Sequence, residues 1–141
     1  MQSEYVFSKR SYNNLKGVHP DLTACVVVCL YRYTTVDFAV IEGVRTFKTQ
    51  KELMAKSDEL EAAGQPRLTW TLDSKHMIQG DGFGHAVDLV PWVNGRIPWD
   101  EWEYFRDIAT GMKMAARYLR IQIVWGGDWK SKDGPHFQLD R

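Results

Sequence analysis

The sequence predicts an α+β fold in which helices flank a small antiparallel sheet. Segments with helical and strand-like patterns follow in the order helix, strand, helix, strand hairpin, helix, strand. Asn94-Gly95 lies between two strand-like segments and is a strong signal for a two-residue hairpin turn, which joins antiparallel strands. Such hairpins favour an α+β fold over a doubly wound parallel sheet. The length of 141 residues predicts one domain, residues 1–141, that can bury its own core.

The first predicted helix begins near Pro20, a residue that suits the first helical turn. Its apolar residues recur at helical spacing: Leu22, Cys25, Val26, Cys29, Leu30 and Tyr33. Because the two cysteines are one helical turn apart, they are poorly placed for a disulfide, which predicts buried free thiols made in a reducing compartment. The next segment, residues 38–45, alternates well enough to form a strand that ends at Arg45.

A charged helix is predicted for residues 49–64, followed by an irregular segment over residues 65–75. The sequence HAVDLVPWV, residues 85–93, predicts a strand that continues through the hairpin turn into RIPW.

The last predicted helix opens with Asp100 and Glu103, which resemble a capping box. Its apolar residues form one stripe, as expected of a core-facing helix: Trp102, Phe105, Ala109, Met112, Ala116 and Leu119. The sequence RIQIVWGG, residues 120–127, predicts a final strand, and a short strand-like piece begins at His136 after a loop.

Composition excludes several classes of function. The formal net charge is zero, so the basic excess that a non-specific nucleic-acid binder needs is missing. The longest apolar run is much shorter than the roughly 20 residues of a membrane span. The first ten residues lack the pattern of a secretory signal, which predicts synthesis in the cytoplasm.

The glycine-rich stretch GDGFG, residues 80–84, resembles a phosphate-binding loop only superficially. Such loops follow a strand and open a helix, whereas this stretch lacks a preceding strand and leads into a predicted strand. No Gly-Lys-Ser/Thr occurs in the sequence, so a nucleotide site is not predicted.

Histidines and aspartates in the second half of the chain suggest a metal site instead. A catalytic zinc ion takes three protein ligands and leaves a position open. His85 and Asp88 lie three residues apart on a predicted strand and therefore face opposite sides, so both cannot bind one metal. Asp88 shares its face with Ala86 and Val90, and a carboxylate among apolar side chains needs a partner. A metal ion and a structural bond to an arginine both remain possible.

The segment Asp133-Gly134-Pro135-His136 provides a second set of candidates. Its spacing allows His136 to bind the metal while Asp133 stands beside the open position, where a general base is needed. The alternative is that Asp133 only begins an Asp-Gly turn. His19, beside Pro20 at the start of a helix, is expected to be structural.

Together these motifs resemble those of a known family of metallopeptidases. SKH at Ser74–His76, GHAVD at Gly84–Asp88 and DGPH at Asp133–His136 are similar to the signature of D-alanyl-D-alanine carboxypeptidases and L-alanyl-D-glutamate endopeptidases, which share the hedgehog/DD-peptidase fold. VHPDL, EGVRT and WGGDW resemble short phage endolysins within this family. The similarity covers roughly Leu15 to Leu139.

The resemblance implies a role for each matching residue. Zinc is held by His76, Asp88 and His136, and Asp133 is the general base. Arg45 matches the arginine that holds the scissile carbonyl or its oxyanion, with an ion pair to Glu42 as the structural alternative. Ser74 is expected to orient the loop or contact the substrate. The resemblance gives His85 no ligand role and Gln50 no chemistry.

The chain departs from the family pattern at two places. Eleven residues separate His76 from Asp88, more than is usual in the family. We expect this insertion, residues 77–83, to bulge out as a loop between the ligands, where it can alter the substrate rim. The second departure is Gln138, two residues after His136, where the family often has an acidic residue.

The function implied by the resemblance is zinc-dependent cleavage of the L-alanyl-D-glutamate bond in peptidoglycan stem peptides, as a phage endolysin. A monomer made in the host cytoplasm and acting on the cell wall is expected. Alternatives in the same class are a D-Ala-D-Ala dipeptidase or carboxypeptidase. An alternative in a different class is a non-catalytic, zinc-stabilised wall-binding module. A third is a phage structural or tail-associated protein that degrades the wall as the phage enters its host.

Overall fold

A four-stranded antiparallel sheet lies at the centre of the structure, a computed structural model that describes residues 4–141. The strands pair in the order β1-β2-β4-β3. They are β1 (Phe38–Glu42), β2 (Ala86–Pro91), β3 (Ile123–Trp125) and β4 (His136–Leu139). The α+β prediction is confirmed.

Residues 4–141 form four α-helices around this sheet and beside it: α1 (Lys9–Asn14), α2 (Pro20–Val28), α3 (Phe47–Ala62) and α4 (Trp102–Leu119). A π-helical turn, Cys29–Tyr33, continues α2, and a 3₁₀ turn, Gly126–Asp128, follows β3. The sequence did not predict α1, which is only six residues long and mostly polar. Its start is stabilised by Ser8, whose side chain accepts a hydrogen bond from the Ser11 amide. None of the helices within residues 4–141 is long and apolar enough to span a membrane.

The hydrophobic core lies between the sheet and helices α2 and α4. The fully buried side chains there include Leu22, Val26, Leu30, Leu89, Ile108, Met112 and Phe137. Cys25 and Cys29 are buried free thiols, as predicted. Burial, with a smaller effect of the Asp21 charge, raises the pKa of Cys25 to about 11, so this thiol stays protonated. The stripe predicted for α4 is buried in its middle, while Trp102 at its start is 39% exposed.

The predicted two-residue turn at Asn94-Gly95 is confirmed, but the predicted strand after it and the predicted helix cap are not formed. Asn94 and Gly95 both have the positive φ angles of a type I′ turn, 52° and 76°. However, only an isolated bridge between Val93 and Arg96 follows, because Pro98 cannot donate a ladder hydrogen bond. The capping box of Asp100 and Glu103 is also not formed: α4 begins at Trp102, and its first turn has no side-chain cap.

Strand β1 ends at Glu42, three residues before the predicted end. A Cβ atom at Gly43 would lie 1.9 Å from the Asn14 carbonyl oxygen, so only glycine allows the chain to pass this close to the end of α1. Strand β2 begins at Ala86 rather than at His85, and β3 begins at Ile123 rather than at residue 120. These shifts leave His85 and Arg45 in loops beside the sheet.

Candidate metal centre and active site

The centre of the candidate site is Asp88, in the middle of strand β2. Its neighbour across the sheet on β4 is His136, and its neighbour on β1 is Glu42. Directly opposed residues in antiparallel strands project to the same face, so the sheet itself brings Asp88 and His136 together. His76 completes the group from the turn before β2. Single ligand atoms of His76, Asp88 and His136 all lie within 4.8 Å of one another.

The position of His76 is set by hydrogen bonds from both flanks. Its amide donates to Ser74 Oγ at 3.1 Å, and its carbonyl accepts from the Arg45 amide at 2.8 Å. Its ring Nδ1 lies 2.9 Å from the Gly43 carbonyl oxygen. Because a carbonyl only accepts, Nδ1 carries the proton. The lone pair of Nε2 is then free, 3.3 Å from Asp88 Oδ1.

His136 is held in an equivalent way by Gln138. Its Nε2 lies 2.8 Å from Gln138 Oε1, and its Nδ1 lies 3.5 Å from Asp88 Oδ1. If Nε2 donates to the amide oxygen, Nδ1 is the atom available to a metal. Each imidazole therefore has one nitrogen bonded to an oxygen acceptor and the other directed toward Asp88, as is usual for metal-binding histidines.

Charge favours a cation at this centre. Burial favours the protonated acid, but contacts with His136 and His76 outweigh it and hold the pKa of Asp88 well below its ordinary value. Asp88 Oδ1 is nevertheless buried without a hydrogen-bond partner among the described residues. The side chains that face Asp88 Oδ1 are the two histidines, His76 at 3.3 Å and His136 at 3.5 Å, rather than an arginine. One carboxylate and two imidazoles are a donor set that zinc accepts, so this group can hold a metal ion.

Asp133 is positioned by the segment that follows β3. Its amide donates to the Gly126 carbonyl at 2.9 Å, and the Trp125 indole donates to the Gly134 carbonyl at 2.7 Å. A Cβ atom at Gly126 would lie 2.4 Å from the Asp133 carbonyl oxygen, so this contact requires glycine. Burial and the negative charge of Asp88 raise the pKa of the Asp133 carboxyl. A raised pKa suits a group that must accept a proton and release it again.

Arg45 also lines the site. Its Nε and Nη2 donate to the two carboxylate oxygens of Glu42 at 2.6 and 2.9 Å, and its Nη1 donates to Gln50 Oε1 at 2.8 Å. The ion pair with Glu42, the structural alternative for Arg45, is therefore present. This ion pair also fixes the orientation of the guanidinium in the wall of the site. The catalytic role of Arg45 stays a prediction.

An open cleft of about 710 Å³ contains all these groups. The predicted site residues Arg45, Ser74, His76, Asp88, Asp133 and His136 all line it. Residues 67–71 also line it, as do Trp129, Ser131 and Lys132. The volume lies in the range of sites that bind small ligands.

Comparison with known protein families identifies the family of the chain that carries this site. The family model for the phage L-alanyl-D-glutamate peptidase matches residues 3–141. The chain belongs to this family. It is therefore a peptidase.

Two relatives of this peptidase match over nearly its whole length. The L-alanyl-D-glutamate peptidase of Escherichia phage T5 is 28% identical over 137 residues, which cover 97% of this chain and 90% of the relative. The crystal structure of the L-Ala D-Glu endopeptidase ChiX of Serratia marcescens has a TM-score of 0.77 and 42% identity, and the match covers 97% of this chain and 91% of that one.

In this peptidase, His85 lies apart from the three residues that can hold a metal ion. Its Nε2 lies 2.7 Å from Asp81 Oδ2, and its ring packs edge-on against His19 at 5.4 Å. His19 itself caps α2, because its Nδ1 accepts a hydrogen bond from the Asp21 amide. The insertion that carries Asp81 folds back on Gly84 through a bridge from Ile78. Among the described cleft-lining residues, none comes from residues 77–84, so the insertion does not line this cleft.

Sequence reasoning missed how the site of the peptidase is supported. Gln138 was noted only as a departure from the family pattern, yet it orients His136. No chemical role was predicted for Gln50, but it is fully buried and accepts a hydrogen bond from Arg45. WGG was noted only as a resemblance, although Trp125 and Gly126 fix the turn that bears Asp133. The signal for Gln138 was its position two residues from His136, on the same face of a strand.

Proposed function

We propose that this peptidase hydrolyses the L-alanyl-D-glutamate bond of peptidoglycan stem peptides, with a zinc ion held by His76, Asp88 and His136. The observation that carries the metal proposal is Asp88 Oδ1, which is buried between two imidazoles in an open cleft and has no hydrogen-bond partner among residues 4–141. Membership in the peptidase family supports the choice of bond. A purely structural zinc site is closed by its protein ligands and has no need of a carboxylate such as Asp133 nearby. This argues against a non-catalytic binding module.

In the proposed mechanism, His76, Asp88 and His136 would hold a zinc ion, which would supply Lewis acidity for polarising the scissile carbonyl and activating water. Asp133 accepts a proton from the attacking water and transfers it to the leaving amine of the D-glutamate. The raised pKa of Asp133 brings its two protonation states closer in energy, which both transfers require. The Arg45 guanidinium, kept in place by Glu42 and Gln50, stabilises the negative charge that develops on the carbonyl oxygen.

We also propose where the peptidase acts. Membership in a phage family supports synthesis in the host cytoplasm and action on the cell wall during lysis, after release. A monomer is sufficient for this function, because a single chain contributes every residue of the proposed site. Sequence neighbours in the phage genome distinguish a lysis protein from a tail-associated one.

Metal dependence is the first test of the proposal. Dialysis against a chelator is expected to stop hydrolysis of a muropeptide that contains the L-Ala–D-Glu bond, and about one equivalent of zinc per chain is expected to restore it. The measurement is the initial rate of cleavage together with the zinc content of the protein. Full activity in a zinc-free preparation would contradict the proposed mechanism.

Gln138→Leu is expected to weaken zinc binding by about 10- to 100-fold, because His136 loses the acceptor that fixes its ring. A competition titration with a chromophoric chelator measures this change. Gln65→Leu, a substitution of the same type at an exposed position, is the matched control and should leave the zinc affinity unchanged. Equal affinities for both variants would show that Gln138 does not position the ligand.

A further inference from the structure

The segment beside the cleft exposes three large apolar side chains at alternating positions. Leu68, Trp70 and Leu72 are 61%, 74% and 47% exposed. They belong to the irregular segment between α3 and the metal-binding turn, and Leu68 and Trp70 line the cleft that contains the metal-binding group. Contiguous apolar side chains beside a polar active site indicate a binding surface rather than part of the core.

This segment is held rigidly by buried polar groups of α3. Ser57 Oγ accepts hydrogen bonds from the Leu68 and Thr69 amides, both at 3.0 Å. Gln50 donates to the carbonyl of Thr71. Ser57 and Gln50 are fully buried although they are polar, so the inner side of α3 serves to hold this wall. A surface fixed in this way loses little conformational entropy when a ligand binds.

Trp70 has one ring face covered and the other available. The Arg67 guanidinium lies 4.8 Å from the centre of the indole. Arg67 is itself fixed by Asp58 at 2.8 Å and Glu61 at 3.1 Å, and its side chain is only 7% exposed. The cation therefore determines the orientation of the indole, while the high exposure of Trp70 leaves the second face for a flat ligand.

The substrate of the proposed function has one group that matches this surface. In peptidoglycan, the amino group of the stem L-alanine forms an amide with the carboxyl group of the lactyl substituent of N-acetylmuramic acid. The sugar therefore lies about 7–10 Å from the scissile bond, two to three residues of extended chain. The stem residues on the other side carry carboxylates and an amine, which an apolar surface does not favour. The C–H face of a pyranose and the acetyl methyl group are apolar and suit an indole.

We propose, on the basis of the proposed function, that Trp70 binds the N-acetylmuramoyl sugar that precedes the L-alanine of the stem. This contact is a saccharide subsite of the cleft, and Leu68 extends its apolar surface. It makes the peptidase prefer stems attached to glycan over free stem peptides.

Two substrates with the same stem test this proposal: N-acetylmuramoyl-L-Ala-γ-D-Glu-diaminopimelate and the free tripeptide. The measured quantity is the ratio of kcat/KM for the sugar-linked substrate to that for the free peptide. For the zinc-loaded protein we expect a ratio well above one, which falls about tenfold in Trp70→Ala, equivalent to about 1.4 kcal/mol. Trp70→Phe keeps an aromatic face and should retain most of the preference.

Trp92→Ala is the matched control, because Trp92 is also an exposed tryptophan, 46% exposed, but lies outside this cleft. An unchanged ratio in Trp70→Ala, or an equal fall in Trp92→Ala, would overturn the saccharide subsite. A wild-type ratio of one would also overturn the saccharide subsite. In that case, cleavage of both substrates after L-alanine would still support the proposed function. Failure of the wild-type protein to cut either substrate at that bond would overturn both proposals.

Discussion

His76→Ala and Asp88→Ala are each expected to lose bound zinc and to reduce cleavage of peptidoglycan by more than about a hundredfold. The physical reason is that each substitution removes one of three ligands, whereas loss of a supporting partner alone costs about 10- to 100-fold. Zinc content by elemental analysis and the rate of wall lysis are the two measurements. Asp88→Asn tests the charge separately, since it keeps the shape of the side chain but removes the carboxylate.

His85→Ala is the matched control for these variants. His85 is as buried as His136, at 7% and 8% exposure, and lies close to His76 in the chain. It contacts Asp81 instead of Asp88, so its removal should leave zinc content and lysis near the wild-type values. Loss of zinc in His85→Ala with full retention in His76→Ala would mean that the ligand set is wrong.

Asp133→Asn is expected to keep zinc but to slow hydrolysis by about 10²- to 10⁴-fold, the usual contribution of a general acid-base group. The amide is similar in size to the carboxyl and leaves the backbone bond to Gly126 in place, so folding should be preserved. Single-turnover cleavage of a muropeptide, combined with a zinc determination, measures both effects in one preparation.

Asp128→Asn is the control for this loop. Asp128 follows the same glycines but pairs with Lys113 at 2.8 Å, and its side chain is 57% exposed. An exposed pair of this kind contributes little, so neither zinc content nor rate should change much. A wild-type rate in Asp133→Asn would refute its role as the general base, and loss of zinc would make it a ligand instead.

Local sequence patterns predicted most of the helical structure but not the boundaries of the strands. The apolar spacing from Leu22 to Tyr33 identified α2, because one face of a core helix must be apolar. The end of β1 depends instead on the close approach of Gly43 to Asn14, a contact between distant parts of the chain. The start of α4 was also misplaced, because a local turn in which the Glu101 amide donates to the Pro98 carbonyl precedes the helix.

The sequence predicted the candidate metal ligands, but it predicted less well the residues and strand pairings that position them. The alternation of side chains along a strand predicted that Asp88 and His85 do not bind the same metal ion. The family signature added His76 and His136 to the predicted ligands. The pairing of Asp88 with His136 depends on the register between β2 and β4, which no local pattern specifies. Likewise, the insertion after His76 was expected near the substrate, but Asp81 and His85 hold it on the side of α2.

The most direct test of the account is the identity of the bond that is cut. Purified peptidoglycan should be digested with the zinc-loaded protein and with the chelated protein, and the products identified by mass spectrometry and amino-terminal labelling. We predict new amino termini on D-glutamate, only in the presence of zinc. Release of terminal D-alanine without new D-glutamate termini would contradict the account and identify a carboxypeptidase.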